Sequence, residues 1–159
     1  MLGQMGAPAA RTTGVDRPSI DVARRRLGGP AGAPSQRAPG SLVRVTPPGG
    51  QAAAGVLLWA DARHCDVWFE DGVARRSPAA FVAPHQGTAP PALLRVAAEM
   101  RLFLSLNEGD SVRWERMTTV VEGRIVEKCR YGAIVAMADG KVVAVGFRKL
   151  WPSQASGAA

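Results

Sequence analysis

Several residue types are scarce in this 159-residue chain, and each scarcity removes a class of function. There are two cysteines, Cys65 and Cys129, with no CxxC spacing and no histidine cluster nearby. That excludes a zinc site or disulfide framework of the usual kind and leaves buried free thiols as the simpler reading. Histidines also number two, His64 and His85. In "DARHCD" His64 adjoins Cys65, but neighbours on a strand point to opposite faces and do not form a nucleophile–base pair. No glycine-rich phosphate loop, H-E-x-x-H or G-x-S-x-G occurs. The triplet Arg24, Arg25, Arg26 ahead of β segments suits a cyclic dinucleotide, yet the D-x-S-x-x-G that should accompany it is missing. These gaps predict a protein that is not an enzyme, with no cofactor, no metal and no small-molecule substrate.

Long apolar runs are missing too. The best candidate, "PPALLRVAAEMRLFLSL", is interrupted by Arg95, Glu99 and Arg101, whereas a spanning helix needs ~20 apolar residues. The N-terminus has no continuous apolar stretch of the secretory kind, so the expected location is the cytoplasm, off the membrane.

What is present is a hydrophobic content of 47% with only 6% aromatics, and 18 Gly with 12 Pro. The chain affords one ordinary domain or two very small ones, with many turns. Its formal charge is +7, a balance that favours polyanionic partners. Residues 1–40 carry six Arg against two Asp and are rich in Ala, Gly and Pro, which predicts a disordered basic tail over 1–39 with one short helical possibility at "SIDVARRRL".

Beyond residue 40 the chain repeats itself. "AGVLLWADARHCDVWFEDGVARRSPAAFVAP" (54–84) lies without gaps over "EGRIVEKCRYGAIVAMADGKVVAVGFRKLWP" (122–152) at an offset of 68. Gly55 meets Gly123, Asp71-Gly72 meets Asp139-Gly140, and Pro84 meets Pro152. Leu57, Val67 and Val82 meet Ile125, Val135 and Leu150. With one extra residue, "GSLVRV" (40–45) meets "GDSVRW" (109–114). Self-similarity at one offset outranks local guesses about fold.

Each copy reads as β. "SVRWE" alternates, placing Val112 and Trp114 on one face and Arg113 on the other. Gly123 inside "VVEGRIVEK" marks a bend or bulge. Asp139-Gly140 between two apolar strands predicts a tight primed hairpin turn. The expected architecture is mainly β: two tandem small five-stranded barrels at 40–84 and 109–152, with a disordered C-terminus at 153–159. The connector, 85–108, reads two ways. Leu93, Val96, Ala97, Met100 and Phe103 follow helical spacing, with Thr88 as a possible cap, while 101–106 alternates as a strand would. The expectation is a helix over about 91–100 and an extended 101–106.

"GDSVRW", "EGRIV", an apolar strand to "DGK" and a closing "LWP" resemble the small Src-homology-three-like barrels of the Tudor and KOW type, well over 109–152 and less well over 40–84. The resemblance implies a binding module for nucleic acid, for ribosomal or transcription-complex surfaces, or for methylated side chains; fold analogy does not choose among them.

Charge locates the expected contact surface. Residues 41–84 carry four Arg and four acids, whereas 109–159 carry eight cations against five acids. The eight are Arg113, Arg116, Arg124 and Lys128, then Arg130, Lys141, Arg148 and Lys149. Tyr131, Phe147 and Trp151 lie among them, and aromatics between cations stack bases while the charges neutralise phosphates. With Arg24, Arg25 and Arg26 these form the expected nucleic-acid-binding set. Against it, Trp114, Phe147 and Trp151 also suit a barrel core, and Arg148-Lys149 suits an edge that discourages aggregation. A partner protein, read through an aromatic cage of Trp59 with Trp68 or Tyr131 with Trp151, and a structural subunit of a larger assembly are the alternatives.

Overall fold

The computed structural model describes residues 17–31 and 37–153. After helix α1 (Arg17–Arg26), the first copy forms β1 (Leu42–Val45), β2 (Ala53–Ala60), β3 (His64–Phe69), β4 (Ala74–Pro78) and β5 (Val82–Pro84). Helix α2 (Pro91–Ser105) follows. The second copy forms β6 (Ser111–Arg116), β7 (Thr119–Lys128), β8 (Gly132–Ala136), β9 (Val142–Gly146) and β10 (Trp151–Pro152). The two sheets, ordered β4-β3-β2-β1-β5 and β10-β6-β7-β8-β9, are fully antiparallel and identical in sequence-relative order.

The duplication extends to single partners in the strand register. Leu57 pairs with Val67 and Ile125 with Val135, each 68 residues on. Both long strands bulge at the same place, between Leu57 and Trp59 and between Ile125 and Glu127. The first strands keep the offset of 69, since Val43 faces Gly55 and Val112 faces Gly123. A 3-10 turn precedes the last strand of each copy, at Ala79–Phe81 and Phe147–Lys149. Glycine is required ahead of each bulge because a Cβ on Gly55 would sit 2.8 Å from the Trp68 carbonyl oxygen, and one on Gly123 would sit 2.6 Å from that of Ala136. Neither carbonyl can move without breaking its ladder.

Several expectations are corrected. Each sheet carries a bulge but is not closed into a barrel, because β4 and β5, and β9 and β10, are unpaired ends. The Asp-Gly hairpins are not primed turns. Gly72 and Gly140 have positive φ (82° and 84°) while Asp71 and Asp139 do not, and each aspartate Oδ1 accepts from the N–H two residues on. The carboxylate stabilises a longer turn in which glycine alone supplies the left-handed residue. Helix α2 runs on through Ser105, because Phe103 is buried at helical spacing from Met100 and Leu104 is exposed, which breaks the alternation. Its N-cap is Pro90, not Thr88, and no side chain caps it.

The basic tail is not disordered throughout. Over 17–26 it is α1, whose Ala23, with Leu27 just beyond it, packs on Cys129 and Ile134 of the second copy. Ser153, taken as part of a disordered end, donates its N–H to the Ser111 carbonyl. The rest of those two expectations, residues 1–16, 32–36 and 154–159, lies outside the described residues.

One core joins the copies. Val56 and Leu58 of β2 meet Leu93, Met100 and Phe103 of α2, which meet Val112, Trp114, Ile125 and Phe147 of the second copy. The first copy keeps a separate interior of Val43, Val45, Leu57, Cys65 and Val67. Both thiols are buried, and burial pushes the Cys129 thiol up to about 11. At pH 8 only about one Cys129 in a thousand is thiolate. Native protein should therefore leave both cysteines unlabelled by dithiobis-nitrobenzoate for hours, with both reacting once the chain is denatured. Rapid labelling of either thiol without denaturant would contradict this packing.

Candidate nucleic-acid interface

Where the copies meet, a cleft of about 710 Å³ opens. Trp68, Leu58 and Ala74 line it from the first copy and Trp114, Tyr131 and Phe147 from the second. Four cations surround it: Arg26 at the end of α1, Arg116 at the end of β6, and Arg148 and Lys149 on the last 3-10 turn. Glu115 is the single acid. Beside the cleft lies a smaller hollow of about 330 Å³, lined by Glu115, Met117, Arg148, Lys149 and Trp151.

The cations differ in how far they are already neutralised. Arg148 donates from Nε to Glu99 Oε2 at 2.6 Å, and its guanidinium lies 5.4 Å above the Trp68 ring. Arg26, Arg116 and Lys149 make no ion pair among the described residues. Arg113 is the partner of Trp151 in the β6–β10 ladder, so both project from the same face, opposite buried Val112 and Trp114. The fold thus gathers Arg26, Arg116, Arg148, Lys149 and Trp151 of the expected set around the cleft and the adjoining hollow, while Arg113 lies on the β6 face turned away from Trp114.

Others are engaged elsewhere. Lys128 donates from Nζ to the carbonyls of Leu104 (3.3 Å) and Leu106 (2.7 Å) and lies 4.7 Å over the Phe103 ring. It satisfies the C-terminal end of α2, and burial lowers its pKa. Arg130 donates to the Pro30 carbonyl and stacks 3.6 Å over Trp59, binding the copies to each other. Arg24 pairs with Glu127 at 2.9 Å and Asp21 at 2.6 Å, and Arg25 donates to the Asp21 carbonyl. Arg124 lines a separate hollow with Glu122 and Met137, and Lys141 sits at the β8–β9 turn beside Asp139.

The aromatics also divide. Phe147 is buried, edge-on to Trp68 at 5.8 Å, and belongs to the core. Tyr131 donates its hydroxyl to Asp66 Oδ2 at 2.6 Å; burial and that carboxylate raise its pKa. Asp66 is 1% exposed and also accepts from Arg76 at 2.8 Å. This bond from the second copy to the first fixes the rear of the cleft. Trp151, at 44% exposure, is free to meet a ligand.

The pairs named for an aromatic cage do not converge. The face of Trp59 is taken by Arg130 and Arg76, that of Trp68 by Arg148, and Tyr131 and Trp151 line different hollows. His64 is exposed while Cys65 is buried, as alternation requires, and among the described residues no three metal-ligating side chains cluster.

Two contributors escaped sequence reasoning. Trp68 belongs to the less basic copy, yet forms a wall of the cleft. Met117 caps the two-residue β6–β7 turn, 95% exposed with φ of 57°. "SVRWER" and "TVVEG" flank "MT", which lacks the Gly or Asn that a left-handed position favours, so the sequence carries no turn signal there. No helix is long and apolar enough to cross a membrane. No protein-family model matches this chain, and no curated protein matches its sequence.

Proposed function

We propose that the protein is a non-enzymatic nucleic-acid-binding module that grips the phosphate backbone at the mouth of the inter-copy cleft. The observation that carries this reading is the convergence of Arg26, Arg116, Arg148 and Lys149 on one aromatic-walled cleft. Three of the four lack an ion pair among the described residues, so their charge is available to an external anion. The basic helix α1 contributes to the same mouth, which gives the cationic tail a part in binding. The likeness of 109–152 to Tudor and KOW barrels agrees with such a module, and the filled faces of Trp59 and Trp68 give the methylated-cation alternative no support.

The test is a salt series. Neutralising about four phosphates makes log K fall against log salt with a slope of about −3 on a single strand and about −3.6 on a duplex. Fluorescence anisotropy with labelled oligonucleotides and the full chain, between about 0.05 and about 0.3 M salt, a roughly sixfold range, measures it. Affinity that is absent at low salt, or indifferent to salt, would overturn the reading.

A further inference from the structure

The hollow beside the cleft differs from the cleft itself in having an uncovered aromatic ring. We propose that it is a stacking seat for one unpaired base, which makes single-stranded nucleic acid the ligand class of this surface; this rests on the reading of the cleft as a nucleic-acid interface. Among the described residues Trp59 and Trp68 each have a guanidinium over the ring, whereas no ring or cation covers Trp151. Its exposure of 44% is high for a residue on a two-residue edge strand. Among the described residues, folding gives this ring no aromatic or cation–π partner.

Met117 lines the same hollow. It is the non-glycine residue with positive φ among the described residues, and its side chain is 95% exposed. A turn here is served better by Gly or Asn, and the thioether gains nothing from packing within the chain. A polarisable thioether and an indole lining one hollow suit a flat π-system. The hollow, about 330 Å³, is at the small end of ligand clefts, which begin at about 300 Å³.

Charge is shared between the two hollows. Arg148, Lys149 and Glu115 line both the cleft and the hollow, and Arg116 lines the cleft alone. A phosphate is drawn to the cations and turned away by the carboxylate, which in turn accepts a base N–H. A backbone held by Arg148 and Lys149 leaves an adjoining base to meet Trp151, which lines the same hollow. In a duplex that base is paired and stacked, so reaching Trp151 requires a strand whose bases are already free.

The experiment compares a labelled twelve-residue oligo-dA with the same strand in duplex, by anisotropy at 0.1 M salt, for the full chain and three variants (about the salt at which surface charge still acts). The wild-type chain should favour the single strand by about tenfold or more. Trp151→Ala should weaken single-strand binding by about tenfold while leaving duplex binding and the salt slope unchanged. Trp151→Phe, which keeps a ring, should recover most of the loss. Met117→Gly, which relieves the backbone and cannot unfold the chain, should weaken single-strand binding by about threefold. Equal affinity for both forms, or wild-type affinity in Trp151→Ala and Met117→Gly, would remove the stacking seat while a persisting salt slope left the basic interface standing. Binding to anionic vesicles with none to either oligonucleotide would remove both.

Discussion

Replacing Arg116 and Lys149 together by Glu should reduce affinity for a single-stranded oligonucleotide by about a hundredfold or more at 0.05 M salt. At that salt each neutralised phosphate is worth about eightfold in affinity, so giving up two costs about sixtyfold before repulsion is counted. Two carboxylates at the mouth then face the phosphates the cations had held. The salt slope should flatten from about −3 to about −1.4, because only Arg26 and Arg148 remain. Both substituted residues are exposed and outside any ion pair among the described residues, so the fold should be unaffected. Arg148 is the poorer choice, since a Glu there would confront Glu99 and disturb the docking of α2. A matched control reverses Arg124 and Lys141, which changes net charge equally but lies away from the cleft. The control should bind within about threefold of wild type; an equal loss in both pairs would mean that overall charge, and not this surface, sets the affinity.

The largest expected effect on stability is at Asp66. Its carboxylate is 1% exposed and holds two donors, the Arg76 guanidinium and the Tyr131 hydroxyl of the other copy. Asp66→Ala strands a part-buried hydroxyl and removes an ion pair with one buried partner. The cost should be about 2–4 kcal/mol, at the lower side of the buried-pair range because Arg76 reaches solvent. For a chain of this size the midpoint of thermal unfolding should drop by roughly 6–12 °C. Tyr131→Phe, which removes a single hydrogen bond, should cost about 1 kcal/mol. The double variant should cost less than the sum of the two by about 1 kcal/mol, since the same bond is removed once. A melting curve for Asp66→Ala within about a degree of wild type would show that the copies are not held by this contact.

The offset of 68 was the most informative thing in the sequence, and it carried further than element prediction. It placed the equivalent glycines Gly55 and Gly123, where backbone approaches closely, and the Asp-Gly hairpins of both copies. The bulge residues Leu58 and Val126 were harder to find, because alternation simply fails there without a distinctive residue. What the sequence hid was how the copies use their outer faces. Asp66 aligns with Ile134, and the two positions have opposite fates. Ile134 is covered by Ala23 and Leu27, while Asp66 receives Tyr131. The amino-acid pattern alone displays a carboxylate in an otherwise apolar column, and that carboxylate marks the contact between copies.

The candidate site was half legible for a related reason. A strand pattern says which face a cation occupies, but whether its charge is free depends on distant chain. Lys128 and Arg130 lie in the basic copy, yet their partners are the end of α2 and Pro30 with Trp59. Arg26 comes into the cleft only because Ala23 and Leu27, four residues apart on one helical face, anchor α1 on the second sheet. Too few apolar residues surround that helix for its docking to be read from local pattern. Met117 was overlooked because a two-residue turn without Gly or Asn does not look like a turn.

The most direct measurement is a nitrogen–proton NMR titration of the full chain with a short single-stranded oligonucleotide. Shift changes should concentrate at residues 115–117 and 146–152, with Arg26 and Leu27 moving in the same titration and the β8–β9 turn around Asp139 and Lys141 unmoved. Changes gathered instead around Arg124, Met137 and Lys141, or none at all at low salt, would contradict a nucleic-acid interface in the cleft between the copies.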